Sequence, residues 1–169
     1  ELSLRPAPRS IVGLIAALIG LPLAAALTAS PALAQGYPFS QRGTVLQNVA
    51  FTQFSVEYGR PVARGRALFG ALVPYGKIWC PCADDATTIE LSAAVKIDGH
   101  ELAAGKYSVW TLPNEGKWTV IFNRQAATWH TKYPEGQDAL RLEVTPRAGA
   151  HMETMAFYFP MVEGKKAEL

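Results

Sequence analysis

Cys80-Pro81-Cys82 separates two thiols by a single residue, and that spacing permits three chemistries. In an oxidising compartment the pair can close a local disulfide, which needs Cα atoms ~4.4–6.8 Å apart. As thiolates the pair can hold a soft metal, copper or zinc, if Asp84, Asp85 or a histidine completes a set of three or four ligands. A labile bridge can also exchange with other thiols. Two cysteines at close spacing make only half of a metal signature. Two half-buried thiols or a local bridge in a loop is therefore the leading expectation, with copper or zinc binding, or redox work, as the alternative.

A second cluster is basic. Tyr58-Gly59-Arg60-Pro61 runs into Arg64-Gly65-Arg66. Three arginines within seven residues can grip a carboxylate or phosphate through forked hydrogen bonds. The plainer expectation is that they pair with acids such as Asp84 and Asp85 and fix the loop. Polar groups gather again at Tyr75–Trp79 and Asp84–Thr88. If the three segments converge, Tyr58, Arg60, Arg64, Arg66, Tyr75, Lys77, Trp79, Asp84, Asp85 and Thr87 form a polar pocket walled by aromatics, as small-ligand sites are. Arg60 and Asp84 at opposite ends of the domain would rule that pocket out.

Other chemistry is thinner. His100, His130 and His151 are scattered, and none sits in an H-E-x-x-H spacing. Ser40, Ser55, Ser92 and Ser108 lack a G-x-S-x-G elbow. A triad drawn from distant residues keeps a hydrolase open as a second alternative. Trp79, Trp110, Trp118 and Trp129 can line a sugar groove, although large aromatics are expected in a β core.

These residues sit in a chain of 169 residues, the size of one domain. At 49% hydrophobic it is not a disordered sequence. Sixteen Lys and Arg against 14 Asp and Glu leave a net charge of +2, without the basic excess of a nucleic-acid binder. Two cysteines are too few for a fold built on disulfides.

The first 34 residues read as a secretory signal peptide. Arg5 and Arg9 precede an uncharged apolar run at 11–27, and Ala32-Leu33-Ala34 supplies the small-x-small site before Gln35. The run is broken by Pro22 and falls short of the ~20 residues that span a bilayer. No cysteine lies near for lipidation. The expectation is cleavage after Ala34, no retained membrane anchor, and a periplasmic or secreted domain over 35–169. The start at Glu1 and the charged end at 163–166 are taken as marks of a gene fragment, truncated at its C-terminus.

The elements that must position the candidate residues are strands. Phe54, Val56 and Tyr58 alternate with Ser55 and Glu57, which is the period of a half-buried strand. Val95 and Ile97 lead into Asp98-Gly99, a two-residue hairpin signal, and Leu102 follows it. Tyr107, Val109 and Thr111 alternate; Asn114-Glu115-Gly116 turns the chain into Trp118–Phe122. Leu140, Leu142 and Val144 alternate with Arg141 and Glu143. Thr87-Thr88 opens another strand, and Met152–Phe159 reads as the last. Residues 124–131 can hold a short turn of helix. The fold expected is all-β: an antiparallel, jelly-roll-like β-sandwich in a single domain.

Four ordered segments resemble a bacterial exported family, domain of unknown function 2911. They are Val56–Pro61 with Arg64-Gly65-Arg66; Phe69-Gly70 through Leu72–Trp79; Ala83–Thr88; and Leu102–Tyr107 followed by Leu112-Pro113 and Trp118–Asn123. The resemblance spans roughly residues 38–160. Where the family commonly has Arg-Thr-Gly after the tryptophan, this chain has Cys80-Pro81-Cys82. The resemblance implies an exported β-sandwich-like domain and, since the family has no established activity, no reaction. The functional expectation is a non-enzymatic binding or structural module, with a small polar or anionic ligand as its partner and no cofactor.

Overall fold

The computed structural model describes residues 39–169, and no helix occurs among them. The signal-peptide reading of residues 1–34 lies outside the described residues. The described residues form ten strands: β1 (Gln41–Val49), β2 (Thr52–Arg60), β3 (Thr88–Leu91), β4 (Val95–Ile97), β5 (His100–Leu102), β6 (Gly105–Leu112), β7 (Trp118–Asn123), β8 (Asp138–Val144), β9 (Met161–Glu163) and β10 (Lys166–Glu168). Six of them make one sheet in the order β1-β2-β3-β6-β7-β8, with β4-β5 and β9-β10 as separate hairpins. Every strand pair is antiparallel, as the short strands and turn-rich spacing of the sequence require. At Asp98-Gly99 both residues take positive φ, 47° and 81°, which is what a type I′ hairpin turn demands.

Alternation decides the two faces of the sheet. Val56, Tyr58, Ile89, Leu91, Tyr107, Val109, Phe122 and Leu142 point to one side and form the main core. Leu102 of the β4-β5 hairpin and the half-buried Met155 and Phe157 pack over it. The opposite face is polar at most positions, but Trp110 and Ile121 make a second, smaller core there with Cys80, Cys82 and Ala86. Two long connections supply the rest of that core: 61–87 gives Cys80, Cys82, Ala86 and Ile78, and 124–137 gives Tyr133.

Two expected elements take a different form. Met152–Phe159 is not a strand of the sheet. It is an extended strap, linked to the 61–63 segment by Ala63 N–H to the Glu153 carbonyl (2.7 Å) and Met155 N–H to the Pro61 carbonyl (3.0 Å). Its next amide, Phe157, donates to the Tyr58 hydroxyl instead of a neighbouring strand. The alternation of Met155, Phe157 and Phe159 reports one buried side, and burial alone does not require a ladder. Residues 124–131 hold no helix. Ser108 Oγ donates to the Gln125 carbonyl, Ala86 N–H to the Thr128 carbonyl, and a bridge joins Asp85 to Trp129, so this backbone is held by the sheet and by the 84–86 loop. β1, which the alternation reading passed over, is the first strand of the sheet.

Candidate functional site

The ten proposed pocket residues do not form one cluster. On β2, Tyr58 and Arg60 point to the core face, and Gly59 between them points to the polar face. Tyr58 is core: its ring meets Phe157 edge to face at 4.9 Å, and its hydroxyl accepts the Phe157 amide. Arg60 Nε reaches the Met155 carbonyl at 3.4 Å. Arg66 donates from Nε to Ala63 O (2.9 Å) and from Nη2 to Val62 O (2.6 Å). Arg64 donates from Nη2 to Phe39 O (3.3 Å), its guanidinium carbon 3.7 Å from the centroid of the Phe39 ring, and its backbone amide binds Glu153 Oε1 (2.7 Å). The arginines do fix the loop, but not through Asp84 and Asp85. Their partners are mainly backbone carbonyls: Ala63 and Val62 close in sequence, Met155 in the strap, and Phe39 ahead of β1.

Asp84 and Asp85 lie on the other side, in the 78–87 loop. Gly59 brings this loop close: an ideal Cβ at Gly59 would stand 2.2 Å from the Ala83 carbonyl oxygen. The backbones at Arg60 and Asp84 thus run close together in space, while the Arg60 side chain leaves on the core face and the Asp84 loop lies over the polar face. The Asp84 carbonyl accepts from both His130 N–H (3.1 Å) and His130 Nδ1 (2.7 Å). A carbonyl only accepts, so Nδ1 carries the proton and Nε2 keeps its lone pair when the ring is neutral. Thr87 is fully buried and its hydroxyl donates to Pro81 O (2.7 Å). Cys80 and Cys82 are bonded to each other, with Cα atoms 5.3 Å apart, and only 4% and 8% exposed. Sulfurs joined in this way are not thiolate ligands. Among the described residues no group of three His, Cys, Asp or Glu is placed to hold a metal ion.

A network beside this loop holds the 124–137 connection to the sheet. Asp138 Oδ1 accepts from Tyr133 Oη (2.5 Å) and Asn123 Nδ2 (2.9 Å), and Oδ2 accepts from Arg141 Nε (2.6 Å). Burial pushes the Asp138 carboxyl up, but these three donors outweigh it and hold it below its ordinary value. The Tyr133 hydroxyl is raised, first by burial and then by donating to Asp138. Its ring meets Trp110 edge to face at 5.3 Å.

The remaining candidates mark a third place, at the end of the sheet where β6 turns into β7. Residues 67–76 fold into a tight knuckle: Gly70 N–H to Val73 O (2.9 Å), Val73 N–H to Leu68 O (2.8 Å), and Gly76 N–H across to Pro113 O (2.8 Å). Gly70 takes φ +80°, and a Cβ there would meet the Tyr75 ring at 3.1 Å, so glycine serves both the turn and the close approach. Trp79 extends the knuckle onto β6 by a reciprocal pair of backbone bonds with Thr111. Phe69 is 60% exposed, and its ring stands edge to face with Trp118 at 5.4 Å. Leu72 and Tyr75 are exposed on the same knuckle, and Lys77 beside them is exposed. Trp118 is anchored by its indole N–H to Asn114 O (3.0 Å). Sequence reasoning named Tyr75, Lys77 and Trp79 but not Phe69 or Leu72. The available cue was their position: aromatic and aliphatic residues in a Gly/Pro-rich loop have no strand period to bury them.

Fold and surface together define an all-β domain with one six-stranded antiparallel sheet, a stapled polar-face loop and an aromatic loop end. The family model described as "Protein of unknown function (DUF2911)" matches residues 40–169, and the chain belongs to that family. No curated protein and no solved structure matches the chain.

Proposed function

We propose that this protein is an exported, non-enzymatic binding module that holds a small polar ligand against the knuckle of Phe69, Leu72, Tyr75 and Trp118. The observation that carries this reading is the Phe69–Trp118 pair. An aromatic side chain held edge to face yet left 60% open to solvent forgoes more than half of the roughly 1.5–3 kcal/mol that full burial contributes. The knuckle hydrogen bonds hold it there, and rigid exposed rings offer contact area at low entropic cost. Lys77, exposed two residues after Tyr75, offers a cation for a carboxylate or phosphate. The ligand class that fits is a small anionic molecule with one flat apolar face, of which a hexuronate is an example. Export is supported by the leader-like residues 1–34 and by a bridge of the kind that persists in oxidising compartments.

The test is an amide and indole N–H shift titration with glucose, glucuronate and galacturonate. Shifts confined to the Trp118 indole and to residues 69–77, stronger for the uronates than for glucose, are expected. Shifts centred on Trp129 and His130, or none across the series, overturn the reading.

A further inference from the structure

β1 is an edge strand of the sheet, and its outer side presents a row of backbone hydrogen-bonding groups. It pairs with β2 in unbroken register from Gln41↔Arg60 to Val49↔Thr52, closed by the two-residue turn Ala50-Phe51. The pair that flanks such a turn is hydrogen-bonded, and bonded and non-bonded pairs alternate from there. Asn48↔Gln53 is then a non-bonded pair. Gln53 agrees: its N–H goes to Ser92 Oγ (2.8 Å) and its carbonyl to Ser92 N–H (3.0 Å), both on the side away from β1. By the same alternation Arg42, Thr44, Leu46 and Asn48 turn their N–H and C=O groups outward. One of these, the Asn48 carbonyl, is covered by the flexible amide of Gln47 at 2.8 Å. Among the described residues no strand pairs with this side.

The two edges of the sheet are treated differently. β8, the other edge, carries Asp138, Arg141 and Glu143 in seven residues, and its pairing with β7 is broken by an irregularity at Phe122/Asn123. Charges and bulges are how proteins keep an edge from pairing. β1 carries one charge, Arg42, in nine residues, with no proline and no bulge. Its Leu46 is 64% exposed on the polar face.

We propose that β1 pairs antiparallel with β1 of a second copy of this chain about a twofold axis at Val45. That axis places Arg42 opposite Asn48, and Thr44 opposite Leu46, in both directions. It is the register that engages all four outward residues. It sets no like charges opposite each other, and it brings Leu46 and its symmetry mate to diagonal positions on one face, within reach of each other. The result is a continuous twelve-stranded sheet, an isologous contact that closes at two copies.

Sedimentation velocity of the full chain as processed by its host, over a concentration series, tests this. A reversible dimer is expected. Thr44→Pro removes an outward donor at a position where an edge strand accepts proline, and Leu46→Lys sets two cations diagonal to each other. Each is expected to weaken dimerisation by about tenfold or more with the monomer still folded by circular dichroism. Should Thr44→Pro unfold, Leu46→Lys decides. A monomer at every concentration, or a dimer indifferent to Leu46→Lys, overturns the proposal. So does exchange protection of the Thr44 and Leu46 amides in the monomer, which would mean that another segment of the same chain, such as residues 1–38, covers the edge.

Discussion

Gly59 of β2 lies directly under the carbonyl of Ala83, so close that a Cβ at Gly59 would stand 2.2 Å from the Ala83 oxygen. This contact seats the disulfide loop on the polar face. It also separates Arg60 from Asp84, because the residue that touches the loop is the one between Tyr58 and Arg60. Gly59→Ala therefore forces backbone to move, and no flexible side chain can give way. The expected cost is about 3 kcal/mol, at the upper end for overpacking, with Tm lower by roughly 10 °C. Urea unfolding monitored by tryptophan fluorescence measures it; an unchanged midpoint would mean that the loop is not seated there.

The Cys80–Cys82 bridge is buried against Trp110 and Ile121. Native protein treated with dithiothreitol and iodoacetamide should stay unlabelled until denaturant opens the fold, as intact mass will report. Because the ring closed is only three residues, the double replacement of Cys80 and Cys82 by Ala should cost only about 1–2 kcal/mol on the chain-entropy account. Rapid labelling in native buffer would make the bridge an exposed, exchangeable one.

Asp138 has a folded pKa below its unfolded value of 3.8. The sign follows: its contribution is complete above pH 3.8 and is lost as pH falls through the lower folded value. Asp138→Asn keeps the shape and removes the charge that Arg141 and Tyr133 address. Arg141 is half exposed, so the expected loss at pH 7 is about 1–2 kcal/mol. The gap between variant and parent should close as pH is taken below the folded pKa. A gap that persists there would assign the loss to packing instead.

Phe69→Ala and Trp118→Ala separate binding from folding. Phe69 is largely exposed, so its removal should cost about 0.5–1.5 kcal/mol, the worth of an edge-to-face pair. Binding of the uronate probe should fall below detection in both variants. Arg66→Ala serves as the contrast: its guanidinium faces Ala63 and Val62 carbonyls, so stability should drop while probe binding stays.

Much of the sheet was legible because period two and turn chemistry are local signals. Phe54–Tyr58, the Asp98-Gly99 hairpin, Tyr107–Thr111, Trp118–Phe122 and Leu140–Val144 all carry them, and all became strands. β1 escaped because, of the four residues it turns toward protein, Gly43, Val45, Gln47 and Val49, only the two valines are apolar side chains, too few to set a rhythm. Met152–Phe159 misled for the reverse reason: it has the rhythm of burial but leans on Tyr58 and Pro61 instead of joining a ladder. The site was less legible still. Residue types showed that the arginines and aspartates could bind something, but the parity of β2 sends Arg60 and Gly59 to different faces. That parity matters only once it is known which loop lies over which face, and no local signal carries it.

The strap ties late sequence to early sequence. Arg64 meets Glu153 across 89 residues, Arg60 meets Met155 across 95, and Tyr58 meets Phe157 across 99. Loop-closure entropy must be met before such contacts stabilise anything, so topologies built on them fold slowly. A growing chain that has made β2 must wait for nearly a hundred further residues before Tyr58 finds its cover. Until then the part of the core face around Tyr58 that the strap covers is open, although the β4-β5 hairpin can already bring Leu102 onto that face, and the domain becomes native only when its last third has arrived.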